Sequence, residues 1–325
     1  MSVIDGDGNI YETLFMGNYE ITVKSIRTTK YADGSPIPHL NTTYAWTGGD
    51  SKGYVFQNNT TNPQDQEMYG ALYKWETVSI YNEKKIAPDN WRVFTVLDCN
   101  NILDYLISNG YNWDNTYEGN KVAKSLAHDL GMWVNSTVPG NIGFDQSSNN
   151  SSGLGAVPSG FRNPNGVFGG LGSMMLMWLS DDFQRIGLYY DSESLATPAG
   201  RNKENGYSIR FLRDAYNIFF DSNGGSPLNS IKVGNGDFIE YPNTPTKNGY
   251  VFTGWYKDEE LNNLWNFNSD VVNSHTTLYA KWVKEVYKVH FVSNGGTKIP
   301  EQDIEFEGKV VEPEKPIKKR FAFYD

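Results

Sequence analysis

The sequence has almost no cysteine. Cys99 stands alone among 325 residues, so no intrachain disulfide can form and the chain is not a small domain stapled by bridges. Histidine is scarce as well. His39, His128, His275 and His290 are the four, and they are dispersed. No His-Glu-x-x-His, Cys-x-x-Cys or Gly-x-Ser-x-Gly pattern occurs, so the common zinc-hydrolase, thiol-redox and serine-hydrolase signatures are missing. Long apolar runs are missing too. No stretch approaches the ~20 residues of a membrane span, and the polar opening Met1–Asn9 has no apolar signal region. Either a signal preceded it, or the protein reaches its place without one, as virion proteins do. Positive charge is in the minority: 28 Lys and Arg stand against 38 Asp and Glu, a net charge of −10. That balance disfavours nucleic acid and anionic bilayers as partners. The one basic run, Lys315–Arg320, reads as a solvated loop.

What is abundant is glycine and aromatic side chains: 32 Gly, 9 Trp, 21 Tyr and 17 Phe. The chain is long enough for two or three domains with many turns. It also repeats itself. Tyr216–Gly225 reads YNIFFDSNGG and Tyr287–Gly296 reads YKVHFVSNGG. Pro242 and Pro245 align with Pro313 and Pro316, and Phe252 with Phe323. The first copy continues through Gly254-Trp255-Tyr256 to Trp282, while the second stops short of its own tryptophan. Such self-similarity predicts a modular array, and the cut-off copy suggests a piece of a longer protein.

Local patterns predict the elements. Asp5-Gly6-Asp7-Gly8-Asn9 reads as a turn feeding a strand. As a calcium loop it fails, with Ile10 in the glycine position and Met16 in the closing glutamate position. Tyr69–Thr77 reads as a buried aromatic segment. Val96, Cys99, Leu103 and Leu106 have helical spacing, with Thr95 or Asp98 as cap and an end near Asn109; Cys99 is then a core residue. A second helix is predicted over Gly119–Leu130, a long loop over 140–160, and strands over Met174–Ser180, Arg185–Tyr190 and Tyr207–Leu212. A domain boundary falls between Asp214 and Tyr216. The fold class expected is α+β.

Two family resemblances follow from motifs. Asp7–Tyr11, Thr28–Gly34, Gly70–Trp75, Pro88–Val93, Gly160–Gly166 and Asn205–Asp214 occur in order, and on them residues 1–214 resemble the Fibrobacter succinogenes major paralogous domain of Bacteroidota surface and secreted proteins. The resemblance implies a C-type-lectin-like fold related to that of the formylglycine-generating enzymes. Those enzymes work through a cysteine pair, which this chain lacks. Where the family often shows Trp-Trp before Ser-Ser-Thr, this chain has Met177–Asp182. Phe220–Gly225, Pro245, Gly249–Tyr256 and Thr277–Trp282 make residues 215–284 resemble the Listeria–Bacteroides repeat, the B-repeat of internalin-like surface proteins. Residues 285–325 resemble an incomplete second copy. This resemblance implies a small β-grasp-like module serving as a stalk.

The reading is non-enzymatic: a lectin-like head that binds a glycan or a cell-surface protein, carried on B-repeats, extracellular and at the cell surface. A phage virion receptor-binding protein and a purely structural stalk are the alternatives. No cofactor or metal is expected, and homo-oligomerisation is left open. Glu-Pro-Asn and Trp-Asn-Asp, the tripeptides of calcium-dependent lectins, are absent. The adjacent Asp181 and Asp182 point to opposite faces of a strand, a poor pair for glycoside cleavage. The ligand site is expected in Trp178, Asp181, Asp182, Phe183, Arg185, Tyr189, Asp191, Ser192 and Arg201, where aromatic faces and directional polar groups could hold a sugar. Strand alternation sets a limit, since Tyr189 and Tyr190 cannot both face solvent. Folds of this class also serve as scaffolds for hypervariable surfaces, including those diversified by retroelements, and Trp178–Arg201 is where such variation would fall.

Overall fold

A computed structural model describes residues 1–200 and 202–319. They are mostly β with few helices, and they form two compact units, residues 1–215 and the chain from Tyr216 onward.

In the first unit, the strands Ser2–Ile4, Ile10–Met16 and Tyr19–Thr22 form an antiparallel meander. The turn before the second strand is closed by Asp5. Its carboxylate accepts from the amides of Asp7 and Asn9, from Asn9 Nδ2 and, at 2.6 Å, from the Tyr11 hydroxyl. The lone pairs that a cation would need are thus engaged by the chain itself. The far end of the unit returns to this meander, where Leu212 pairs with Ile21, and also pairs with the short strand Arg92–Val93 through Phe211 and Val93. A second, five-stranded sheet runs in the order Ala196–Gly200, Gln184–Tyr189, Met174–Trp178, Ser159–Arg162, Phe168–Leu171.

The strand Met174–Trp178 lies between two apolar clusters. Its period-two alternation sends Met175 and Met177 into one, with Ile186 and Leu188. Leu176 and Trp178 enter the other, with Tyr207, Ile209 and Phe211. A strand covered on both faces has no polar side to show, which is why Met-Met-Leu-Met-Trp is a continuous apolar run. Tyr189 and Tyr190 divide in the same way, each half-buried against a different cluster.

The helix Val96–Ser108 is capped as its sequence suggests, and Thr95 and Asp98 share the task. The Thr95 hydroxyl accepts from the Asp98 amide at 3.2 Å, and the Asp98 carboxylate accepts from the Thr95 amide at 2.9 Å. This reciprocal pair satisfies two otherwise orphaned amides. Cys99 is 4 % exposed on the inner face. The helix expected over Gly119–Leu130 shrinks to Ala123–Leu126. The amide of Ala123 bonds to Glu193 O and that of His128 to Ala156 O, so tertiary partners replace helical ones at both ends. The strand expected over Tyr207–Leu212 starts at Phe211; Tyr207 and Ser208 make isolated bridges instead.

In the second unit, Ile218–Asp221 pairs in parallel with Thr276–Tyr279, and Tyr250–Tyr256 pairs antiparallel with Thr276–Lys284. Trp255, Ile218, Leu278 and Ala280 form its core, with Phe252 and Trp282 at the margin. The tight turn of the repeat is built by Asn223 and Gly224, both at positive φ. Beyond it, Val286–Val289 pairs with Gln302–Glu305 in a hairpin. Phe306 packs against Tyr250 at 5.9 Å between ring centres.

Candidate functional site

The residues expected to form a ligand surface do not share one exposed face. Trp178 must be corrected from surface to core: it is 0 % exposed, its indole donates to Tyr73 O at 2.8 Å, and its ring lies 4.4 Å from Tyr207. Arg185 is buried as well, its guanidinium 5.6 Å above the Tyr189 ring. Asp181 accepts from the Val96 amide at 3.0 Å and 3.2 Å and so completes the N-terminus of the helix Val96–Ser108, where a negative charge is favoured. Asp182 accepts from the Phe183 amide and from Gln184 Nε2, shaping the turn between strands. Phe183 is half-exposed and meets Trp75 edge-on at 6.1 Å. Asp191 is exposed, and the Ser192 hydroxyl bonds within its own turn to Ser194. The strand Gln184–Tyr189 separates the two groups. At about 3.3 Å per residue, Asp181–Phe183 and Asp191–Ser192 sit at opposite ends of it. Arg201 lies outside the described residues.

A different place in the first unit has the character of a binding site. A cleft of about 410 Å³ is walled by Val23–Ser25, by the last turn of the helix Pro63–Tyr69, and by the loops carrying His128–Met132 and Asn150–Val157. Its volume falls in the usual range for small-ligand pockets. Arg210 lies at its base. The sequence places this arginine between Ile209 and Phe211, which alternation sends into the second apolar cluster, so the guanidinium emerges on the other side. There it borders both the cleft and a void of about 40 Å³ within the first cluster.

Arg210 is 2 % exposed. Its Nη1 donates to the carbonyls of Thr22 and Val23, and its Nε has no partner. Among the described residues no carboxylate pairs with it. Burial pushes the guanidinium down to about 9, so it still carries its charge at neutral pH. The hydroxyl of Ser25, 2 % exposed in the same wall, also lacks a partner. Gly70, at φ 70, lets the helix end approach that wall: a Cβ there would lie 2.7 Å from Ser25 Cβ. At the rim, Lys24 pairs with Glu67 at 2.6 Å, and Arg27 joins Glu67 at 3.6 Å. Met68, Leu130, Met132, Val23 and Val157 supply the apolar lining. Sequence reasoning missed this cleft. Its signals were an arginine inside an apolar run, Ile209-Arg210-Phe211, and the glycines of the 140–160 loop.

The Cys99 thiol is pushed far up by burial, with Asp98 and Asp181 adding to the shift. Among the described residues no cluster of His, Cys, Asp and Glu could hold a metal ion, and no helix is long and apolar enough to cross a membrane.

Comparison with known proteins agrees with the motifs. The Fibrobacter succinogenes major domain matches residues 22–213, and the Listeria-Bacteroides repeat domain matches 216–281 and 287–325. Two Evansella cellulosilytica proteins, one named as a Gly-rich membrane protein and one as a membrane protein, are similar. The first is 44% identical over 33% of this chain and 12% of its own length; the second is 38% identical over 34% and 17%. Internalin H of Listeria monocytogenes is 34% identical over 34% of this chain and 20% of its own length. The chain thus spans at most about a fifth of these relatives. With the larger part of its length matched by a single domain family, the chain belongs to the Fibrobacter succinogenes major domain family, and Listeria-Bacteroides repeats follow that domain.

Proposed function

We propose that this chain is part of a non-catalytic, surface-displayed adhesion protein, in which the first unit is the binding head and the repeats are spacer modules. The head is read as a C-type-lectin-like fold. The pairing of its opening meander with its closing strand and its long irregular loops support that reading. The parallel pairing of Ile218–Asp221 with Thr276–Tyr279 supports a β-grasp-like module. The likeness to internalin H and to proteins named as membrane proteins supports display at a cell surface. The observation that carries the binding role is the cleft over Arg210, a preformed concavity with a buried charge at its base.

The test is binding of the fluorescently labelled full chain to intact bacterial cells and to glycan and peptide arrays, with and without EDTA. Saturable binding that survives EDTA is expected. Uniform absence of binding to cells and arrays would refute the adhesion reading and leave a spacer.

A further inference from the structure

A buried guanidinium without a counter-charge is an expensive arrangement, since an unpaired ion retains much of its desolvation cost. Carbonyls of Thr22 and Val23 satisfy one terminal nitrogen of Arg210. They bring no negative charge. Among the described residues Nε, buried beside it, makes no hydrogen bond. The Ser25 hydroxyl in the same wall is a second polar group without a partner among the described residues. The lining carries Lys24 and Arg210 against Glu67 alone, a locally positive site in a chain whose net charge is −10. Arginine presents a planar fork of donors that matches a carboxylate.

The rest of the lining narrows the ligand. Among the described residues no Trp, Tyr or Phe borders the cleft, whose ring-bearing side chain is His128, so it lacks the broad indole or phenol face on which sugar rings are usually held. Its apolar lining is instead flexible and aliphatic, from Met68, Met132, Leu130, Val23 and Val157, with Gln64, His128 and Asn150 adding polar groups. Thioether side chains adapt to irregular apolar shapes. Resting on the reading of this cleft as the binding site, we propose that it takes an aliphatic carboxylate, with the acid group directed to Arg210 and Ser25 and the apolar body against the Met and Leu wall. A peptide C-terminus ending in an apolar residue and a short fatty acid share this chemistry.

Calorimetric titration of the full chain with four probes tests it: acetyl-Ala-Leu with a free carboxylate, the same dipeptide amidated, hexanoate, and glucose. The free acid is expected to bind about ten- to hundred-fold tighter than the amide, because a charge-assisted hydrogen bond is exchanged for a neutral one. Peptide acid ahead of hexanoate identifies a peptide terminus as the source; hexanoate ahead identifies a fatty acid. Arg210→Lys keeps the charge and loses the fork, and should remove most of the preference for acid over amide. Because Arg210 is buried, its variants could fail to fold, so Met68→Trp on the cleft wall is the second arm. It should block the acid with the melting temperature retained. Amide binding equal to acid, or glucose binding in place of both, overturns the carboxylate assignment. Cell binding unchanged in Met68→Trp overturns the cleft as the contact site, a failure distinct from that of the ligand class.

Discussion

Trp178 gives the sharpest test of the structure, because sequence pattern placed it on a ligand surface and the fold places it in the core. The perturbation is Trp178→Ala. The side chain is 0 % exposed, its ring packs at a tilt against Tyr207 with centres 4.4 Å apart, and its Nε1 donates to Tyr73 O at 2.8 Å. Truncating a buried Trp to Ala costs about 3–5 kcal/mol. The hydrogen bond adds only the net worth of about 0.5–1.5 kcal/mol, because Tyr73 O keeps the Tyr207 amide as a partner at 3.2 Å. Each kcal/mol lowers the midpoint of a domain this size by about 2–4 °C, so the buried-ring loss alone predicts a fall of about 6–20 °C in the melting transition of the first unit. Differential scanning calorimetry resolves it, with the transition of the second unit as an internal reference. Phe183→Ala, at a half-exposed ring, should shift the same transition far less. A Trp178→Ala protein that melts within about 2 °C of the parent, less than one kcal/mol on that scale, yet no longer binds cells would refute the placement of this ring.

Three further outcomes are expected. Cys99 is buried and its thiol is held neutral, so a disulfide reagent should leave it untouched in the native protein and titrate it fully in denaturant. Gly249 stands at φ 74, and a Cβ there would run into the Phe306 ring. Gly249→Ala should therefore destabilise the second unit by at least about 1–2 kcal/mol, read as a lower melting temperature of that unit alone. Asp7 is partly buried, which opposes its charge, yet hydrogen bonds from Thr29 and the Lys30 ammonium hold its carboxyl below the usual range. Its stabilisation is then present above the unfolded value near ~4 and lost as pH falls through the lower folded value. Asp7→Asn should melt below the parent at pH 7, and the gap should close on acidification. A gap that widens in acid would show the opposite sign.

Much of the organisation was legible because it is local or repeated. Thr95-x-x-Asp98 before an apolar periodic run specifies a helix start by the reach of two short side chains to nearby amides. Asn223-Gly224 permits a turn at positive φ, and the second appearance of the same segment marks the repeat. The helix expected up to Leu130 was lost because distant residues, Glu193 and Ala156, take the backbone bonds at either end of its single surviving turn. No periodicity within the segment records that competition.

Sequence by itself therefore determined the family, the repeat and the lack of a disulfide within these 325 residues, which depend on which residues are present and in what order. Tertiary structure decided which side chains are inside. Met174–Trp178 is an apolar run whatever its setting, and only packing on both faces turns Trp178 from an expected contact into a core ring. Arg210 is the converse case. A single arginine between Ile209 and Phe211 is cationic in any conformation. The cleft at its face and the carbonyls that hold it arise from segments far apart in the chain, Thr22–Ser25, Met68 and Asn150–Val157. Burial is a property of all the neighbours at once, and those neighbours are chosen by the fold.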